Sequence, residues 1–278
     1  MKNNKLLFIS QEITPYLAET PLSVLGKQLP VSMQERGFEV RTFMPKYGCI
    51  NERRNQLHEV IRLSGMNIII NDTDHPLIIK VATLQPSRMQ VYFIDSDDYF
   101  NSSTGASSPL ETVSLPEENH ERMLFYVRGV VETVKKLRWE PAVVQCIGWL
   151  TALAPLFLKR MMADDPSFTD SKVIYTLRSE SFEGALDQSL RELLTASFAP
   201  EDIDALGDGP VTAADLHRIA IEYADAIVQG DADVDPELIE KAKATGKPFV
   251  AYNPDFEAFS DANNALYRSL LGEETEED

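Results

Sequence analysis

The sequence is short of positive charge. It holds 26 Lys and Arg against 44 Asp and Glu, a formal net charge of −18. Nucleic acid is held largely through basic contacts to phosphate, so that deficit argues against a nucleic-acid partner. It argues equally against an anionic membrane surface. Cysteine is scarce too, with Cys49 and Cys146 alone. Each lies in or beside an apolar run, which predicts buried free thiols in a reducing compartment. The first apolar run, Leu6–Ile9, is too short for a secretory signal or a membrane span. These absences together predict a soluble cytoplasmic protein with no membrane partner. The four histidines, His58, His75, His120 and His217, have no metal-ligand spacing, and no metal site is expected. No Walker loop, no G-x-S-x-G and no Cys-x-x-Cys occurs.

What is present is a rhythm of apolar runs and helical stretches. "KLLFIS", "FEVRTFMP", "MQVYFIDS", "AVVQCIG", "KVIYTLRS", "AIVQGD" and "PFVAYN" read as strands, several of them continuously apolar as in a buried parallel sheet. "VIRLSGMNIIIN" and "HPLIIKVATLQ" read as hairpin strands. Helical spacing runs over about 22–36, with a kink or break expected at Pro30. Further helices are expected at about 116–137, 150–162 and 212–224, and at "DPELIEKAKATG", with Asp235 as N-cap and Pro236 first in the helix. Repeated β-then-α units predict a doubly wound, mainly parallel sheet in one Rossmann-like domain, residues 1–271. Residues 272–278, "GEETEED", form an acidic tail expected to be disordered, and 101–118 a mobile surface loop.

One turn is odd. After the first strand the chain reads "FISQEITPYLAETPLSVLGKQLP", where a strand-to-helix turn would be suited to phosphate. Yet Ala18-Glu19-Thr20-Pro21 contains neither glycine nor lysine.

The order of segments resembles bacterial glycogen synthase and plant starch synthase, glycosyltransferase family 5. That family opens with an apolar strand, S-E-x-x-P, K-T-G-G-L and then A-L-P. This chain has Gln11-Glu12, Pro15, Leu22 and Leu29-Pro30 at the same offsets. "RGFEVRTFMPKYGCI" resembles R-G-H-E-V-R-V-x-x-P-R-Y-G-x-I, and "VYFIDSDDYF" resembles I-D-x-x-x-Y-F. "WEPAVVQCIGWLTALAPLFLK", "KVIYTLRSESFEG", "RIAIEYADAIV" and "YNPDF" resemble later segments, the last being the start of the interdomain linker. The resemblance implies a retaining enzyme of GT-B fold, whose two Rossmann-like domains face a cleft. It covers the first domain only. The second, with most of the nucleotide-sugar site and the basic and acidic catalytic residues, is expected to be missing.

The motifs that carry chemistry depart from the family. Ala18 stands for the lysine that approaches the sugar nucleotide, and Thr20 and Pro21 for the glycines. Ala18 removes the charge, and Pro21 removes a backbone donor. H-A-H-D-W-H becomes Gln145-Cys146-Ile147-Gly148-Trp149-Leu150, which reads as core. The strand-end histidine and asparagine become Arg178-Ser179. Arginine does not release a proton near neutral pH. Arg178 is expected to pair with Glu12, Glu180 or Glu183, or to hold a phosphate or carboxylate at the crevice. Asp95, Asp97 and Asp98 read as solvated loop charges. No catalytic residue and no cofactor is expected.

Three functions follow. The first is a non-catalytic protein of glucan metabolism that binds α-glucan (glycogen) or protein. The second is a glucosyltransferase from ADP- or UDP-glucose to an α-1,4-glucan, active when completed by a second chain. The third is a structural scaffold. Candidate binding positions are Ala18, Thr20, Pro21, Gly148, Arg178 and Ser179. Tyr16, Tyr99, Phe100 and Phe182 are candidate rings for stacking on sugar. The same face is the candidate contact for a second protein chain or a homodimer.

Overall fold

The computed structural model describes residues 3–100 and 119–273. The expected loop at 101–118, the start of the expected second helix and the end of the acidic tail lie outside those residues.

The strands are β1 (Lys5–Ser10), β2 (Glu39–Pro45), β3 (His58–Glu59), β4 (Met66–Ile70), β5 (Thr73–Leu84), β6 (Met89–Asp95), β7 (Val143–Ile147), β8 (Lys172–Leu177), β9 (Ala226–Gln229) and β10 (Phe249–Val250). Their order is β10-β9-β8-β7-β1-β2-β6-β5-β3, with β4 on β5. From β10 to β6 every pairing is parallel. β5, β3 and β4 add antiparallel. β1, β7 and β8 are buried almost throughout, because helices cover both faces of a parallel sheet. The β4–β5 hairpin turns on Asn71 and Asp72, both at positive φ, as the twist of a tight hairpin demands.

The helices are α1 (Pro21–Glu35), α2 (Asn119–Leu137), α3 (Ser189–Thr195), α4 (Ala213–Tyr223), α5 (Pro236–Ala244) and α6 (Phe256–Leu270). Two expectations need correction. α1 runs unbroken through Pro30, with Leu25, Leu29 and Met33 buried on either side of it. The helix expected at 150–162 is instead a run of 3-10, α and π turns over Trp149–Met161. Pro155 lacks the N–H that would join those turns into one α-helix. Asp235 does cap α5, its carboxylate accepting from the Glu237 amide at 2.9 Å.

α6 has no counterpart in the sequence reading, which ends its last strand at Asn253. The Asp255 carboxylate accepts from the Glu257 and Ala258 amides and starts the helix. α6 then packs on α1. Ser260 and Ser32 share a hydrogen bond of 2.5 Å, and Arg36 pairs with Glu257 at 2.6 Å and Asp261 at 2.7 Å. Tyr267 is fully buried, its ring edge-on to Phe8 and Phe38, and its hydroxyl donates to Gln145 Oε1. Cys146 is buried as expected, but Cys49 is exposed, because it lies in the turn beyond β2.

Candidate functional site

β1 and β7 lie side by side, and strand order reverses between them. In an open α/β sheet that reversal opens a crevice beyond the carboxyl ends of the strands, where ligands bind. Here the crevice floor is occupied by the protein itself. The Gln11 amide donates to the Ile147 carbonyl at 3.1 Å, and Gln11 Oε1 accepts from the Leu150 amide at 3.2 Å. Gly148, at φ +93°, permits this approach: a β-carbon there would lie 2.9 Å from the Gln11 side chain. Tyr126 and Tyr47 hold the floor from below, donating to the Ser10 and Gln11 carbonyls at 2.8 and 3.0 Å.

The next residues build the turn into α1. Gly26 lets the helix sit on the Glu12 carbonyl, which a β-carbon would meet at 2.2 Å. Thr20 is the N-cap. Its hydroxyl oxygen accepts from the Ser23 amide at 3.0 Å, and the Ser23 hydroxyl oxygen accepts from the Thr20 amide at 2.9 Å. The Thr20 hydroxyl donates to Glu12 Oε2 at 3.1 Å. The Val24 amide is spent on the Thr20 carbonyl, and Pro21 has no amide to offer. The positive end of α1 therefore faces a buried carboxylate of its own chain. Burial raises the Glu12 pKa, the Thr20 hydrogen bond opposes that rise, and the nearby Glu180 charge adds to it. Ala18 is exposed and supplies no charge, and its carbonyl accepts from the Ser23 hydroxyl at 2.9 Å.

Arg178 follows β8. It is 3% exposed, and its guanidinium is bidentate on Glu180. It also donates to the Gly230 carbonyl and lies 3.3 Å from Asp231. Of the three expected partners only Glu180 pairs with it. Asp231, which ends "AIVQGD", is the partner missed, since nothing local in sequence joins it to Arg178. Asp231 also accepts from the Ser179 amide at 2.8 Å. Of the two roles expected for Arg178 the structure has the ion pair, and the fork is spent inside the protein rather than left for a phosphate or carboxylate. Gly230 makes room for the arginine stem, and a β-carbon there would sit 2.6 Å from Arg178 Cδ.

The expected stacking rings are not exposed. Tyr16 is edge-on to Phe93, Phe182 to Trp149, and Phe100 to Tyr47, while Tyr99 lies against His75 and Phe125. Each loop folds its aromatic inward onto the core. Gln145 and Trp149 are core, as read. Gln145 Nε2 donates to Thr176 at 2.9 Å. Asp95 corrects another expectation: it is buried and pairs with Lys80 at 2.7 Å, and Lys80 reaches Glu52 at 2.6 Å. Asp98 holds the His75 ring at 2.7 Å. Among the described residues no group of three or more His, Cys, Asp or Glu is placed to hold a metal ion. No helix among them is long and apolar enough to cross a membrane.

Beside α1 and the ends of β8 and β9 a pocket of about 190 Å³ remains, lined by Pro21, Leu25, Arg178, Asp231, Tyr252 and Phe259. Tyr252 is 38% exposed there. Sequence reasoning passed over it because it sits in the final strand segment. It is the one large aromatic among the described residues that stands more than a third exposed.

The family model for the starch synthase catalytic domain matches residues 5–246. Glycogen synthase of Chlorobium limicola is 32% identical over 253 residues, which is 88% of this chain and 52% of that protein. Glycogen synthase of Chlorobium chlorochromatii is 34% identical over 183 residues, 66% of this chain and 37% of that protein. The chain thus spans about half the length of these relatives, or less. Among solved structures, the catalytic domain of starch synthase IV from Arabidopsis thaliana, bound to ADP and acarbose, superposes with a TM-score of 0.64 at 15% identity. That match covers 90% of this chain and 51% of the other, and it shows a shared fold.

Proposed function

The chain belongs to the starch synthase catalytic domain family, and we propose that it serves glucan metabolism as a binding or regulatory member that does not itself transfer glucose. One observation carries this reading. Where the family motif brings lysine and glycine to the sugar nucleotide, this chain has a closed cap, with Thr20 bonded to both Ser23 and Glu12. Glucosyl transfer releases a diphosphate, and its transition state needs positive charge at that group. Here Glu19 lies in the turn, Glu12 is bonded to it through Thr20, the Glu180 charge acts on Glu12, and Arg178 is already paired. Losing a single preorganised electrostatic donor costs roughly 3 kcal/mol of transition-state stabilisation. Loss of the lysine, the glycine amides and the strand-end histidine compounds that cost.

The ligand favoured is α-glucan, since the matched relatives are glycogen synthases. Tyr252 is the surface on which a pyranose ring would stack, with Asp231 and Asn253 beside it as hydrogen-bonding groups. A second reading, transfer from ADP- or UDP-glucose with the site completed by another chain, is favoured by family membership itself. Incorporation of radiolabelled glucose into glycogen, assayed with the purified chain alone and with a co-purifying partner chain added, separates the two: the second reading expects it only with the partner, and the proposal expects it in neither case. In affinity electrophoresis through glycogen the proposal expects retardation that Tyr252→Ala relieves. Incorporation in either case contradicts it.

A further inference from the structure

A second pocket, of about 320 Å³, lies away from the crevice, between the β4–β5 turn, α2, α3 and the turns after β7. Its floor is apolar, formed by Leu124 and Phe157, both buried, and Leu193 stands at its side. Into it comes Arg128, half-buried on α2. Among the described residues no carboxylate pairs with this guanidinium. Among the same residues it makes one hydrogen bond, from Nη1 to the Ile69 carbonyl at 2.5 Å. A guanidinium carries five N–H donors, so most of this fork is unspent. Burial pushes the Arg128 pKa down, and the nearby Glu132 charge opposes that shift only in part. The two carboxylates that line the pocket, Asp72 and Glu192, are exposed at its rim.

This arrangement is selective. The cation asks for a single planar anion that can take a fork, which describes a carboxylate. The rim carboxylates oppose a polyanion such as phosphate and favour a ligand that also carries a positive group. The apolar floor asks for a hydrocarbon side chain. We propose that this pocket binds a small apolar α-amino acid. The ligand carboxylate lies on Arg128, its ammonium faces Asp72 and Glu192, and its side chain rests on Leu124, Phe157 and Leu193. The site does not depend on the crevice or on its degenerate motifs.

The test is titration calorimetry of the whole chain with L-leucine, leucinamide, 4-methylpentanoate and inorganic phosphate. The expected result is saturable binding of L-leucine in the roughly millimolar range. Leucinamide and 4-methylpentanoate, each lacking one charge, are expected to bind at least about tenfold more weakly, as is leucine to Arg128→Gln. In a thermal melt of the unaltered protein L-leucine raises the midpoint and the amide does not, a readout that survives if the variant fails to fold. No saturable binding of leucine, equal binding of the amide, undiminished binding to Arg128→Gln, or tighter binding of phosphate overturns the proposal.

Discussion

The Thr20 hydroxyl donates to the buried Glu12 carboxylate across 3.1 Å, while the same oxygen accepts the Ser23 amide that opens α1. One side chain thus caps the start of a helix and engages the Glu12 carboxylate. Thr20→Ala removes both bonds. The expected loss is about 1–2 kcal/mol of unfolding free energy, read by urea denaturation.

Glu12 gives this pair a pH signature. Its folded pKa is raised, so the folded state binds its proton more readily than the unfolded chain does. Stability therefore falls as pH rises from the ordinary carboxylate range through the raised folded value, and is level above it. Glu12→Gln keeps an acceptor for Thr20 without the charge. It is expected to be at least as stable as the natural protein at neutral pH and to lack that fall. Denaturation midpoints measured from pH 4 to pH 8 check this, about 4 being the lower limit of the carboxylate range.

His217 works in the opposite direction. It is buried against the Tyr175 hydroxyl, 2.9 Å from Nδ1, and desolvation lowers its pKa from 6.5 to about 4. The unfolded chain takes up this proton first as pH falls, so stability is lost from about 6.5 down to about 4. The loss is on the order of 3 kcal/mol. His217→Gln is expected to flatten that part of the profile, and an unchanged slope would count against a neutral buried histidine.

Gly230 and Arg178 depend on each other. A β-carbon at 230 meets the Leu177 carbonyl at 2.9 Å as well as the arginine stem, and the backbone cannot yield as a side chain can. Gly230→Ala is expected to cost roughly 1–3 kcal/mol. Arg178→Ala leaves Glu180 and Asp231 without their cation and is expected to destabilise by about 2 kcal/mol or more. Urea denaturation of both variants checks these costs, and a negligible shift for Arg178→Ala would count against an internal tie.

Much of the fold is legible in the sequence because the parallel strands are unbroken apolar runs bounded by turns. Val143–Ile147 and Lys172–Leu177 can be read by eye. The order of motifs carries the family as well. α6 is not legible in the same way. Its burial rests on Ser32, Arg36 and Gln145, more than a hundred residues away, and no local period announces those partners. The site divides likewise. The replacement of lysine and glycine at Ala18, Thr20 and Pro21 is visible in one line of sequence. That Tyr16 and Phe182 turn inward while Tyr252 turns outward is decided by tertiary packing, and so is the pairing of Arg178 with Asp231. Hydrophobic identity alone does not say which aromatic a loop buries.

Tyr267 tests whether α6 is integral to this domain. Tyr267→Phe keeps the ring against Phe8 and Phe38 but leaves Gln145 Oε1 without its donor inside the core. The expected cost is about 1–3 kcal/mol. A negligible change in denaturation midpoint would mean that α6 rests on the domain without locking it.

The claim that the donor site is filled from within is tested most directly by titrating ADP-glucose into the purified chain in a calorimeter. The account predicts no saturable heat up to roughly millimolar concentration, with UDP-glucose behaving alike. Saturable binding at micromolar affinity, about 8 kcal/mol, would mean that some group has taken over the work of the missing lysine, and would contradict it.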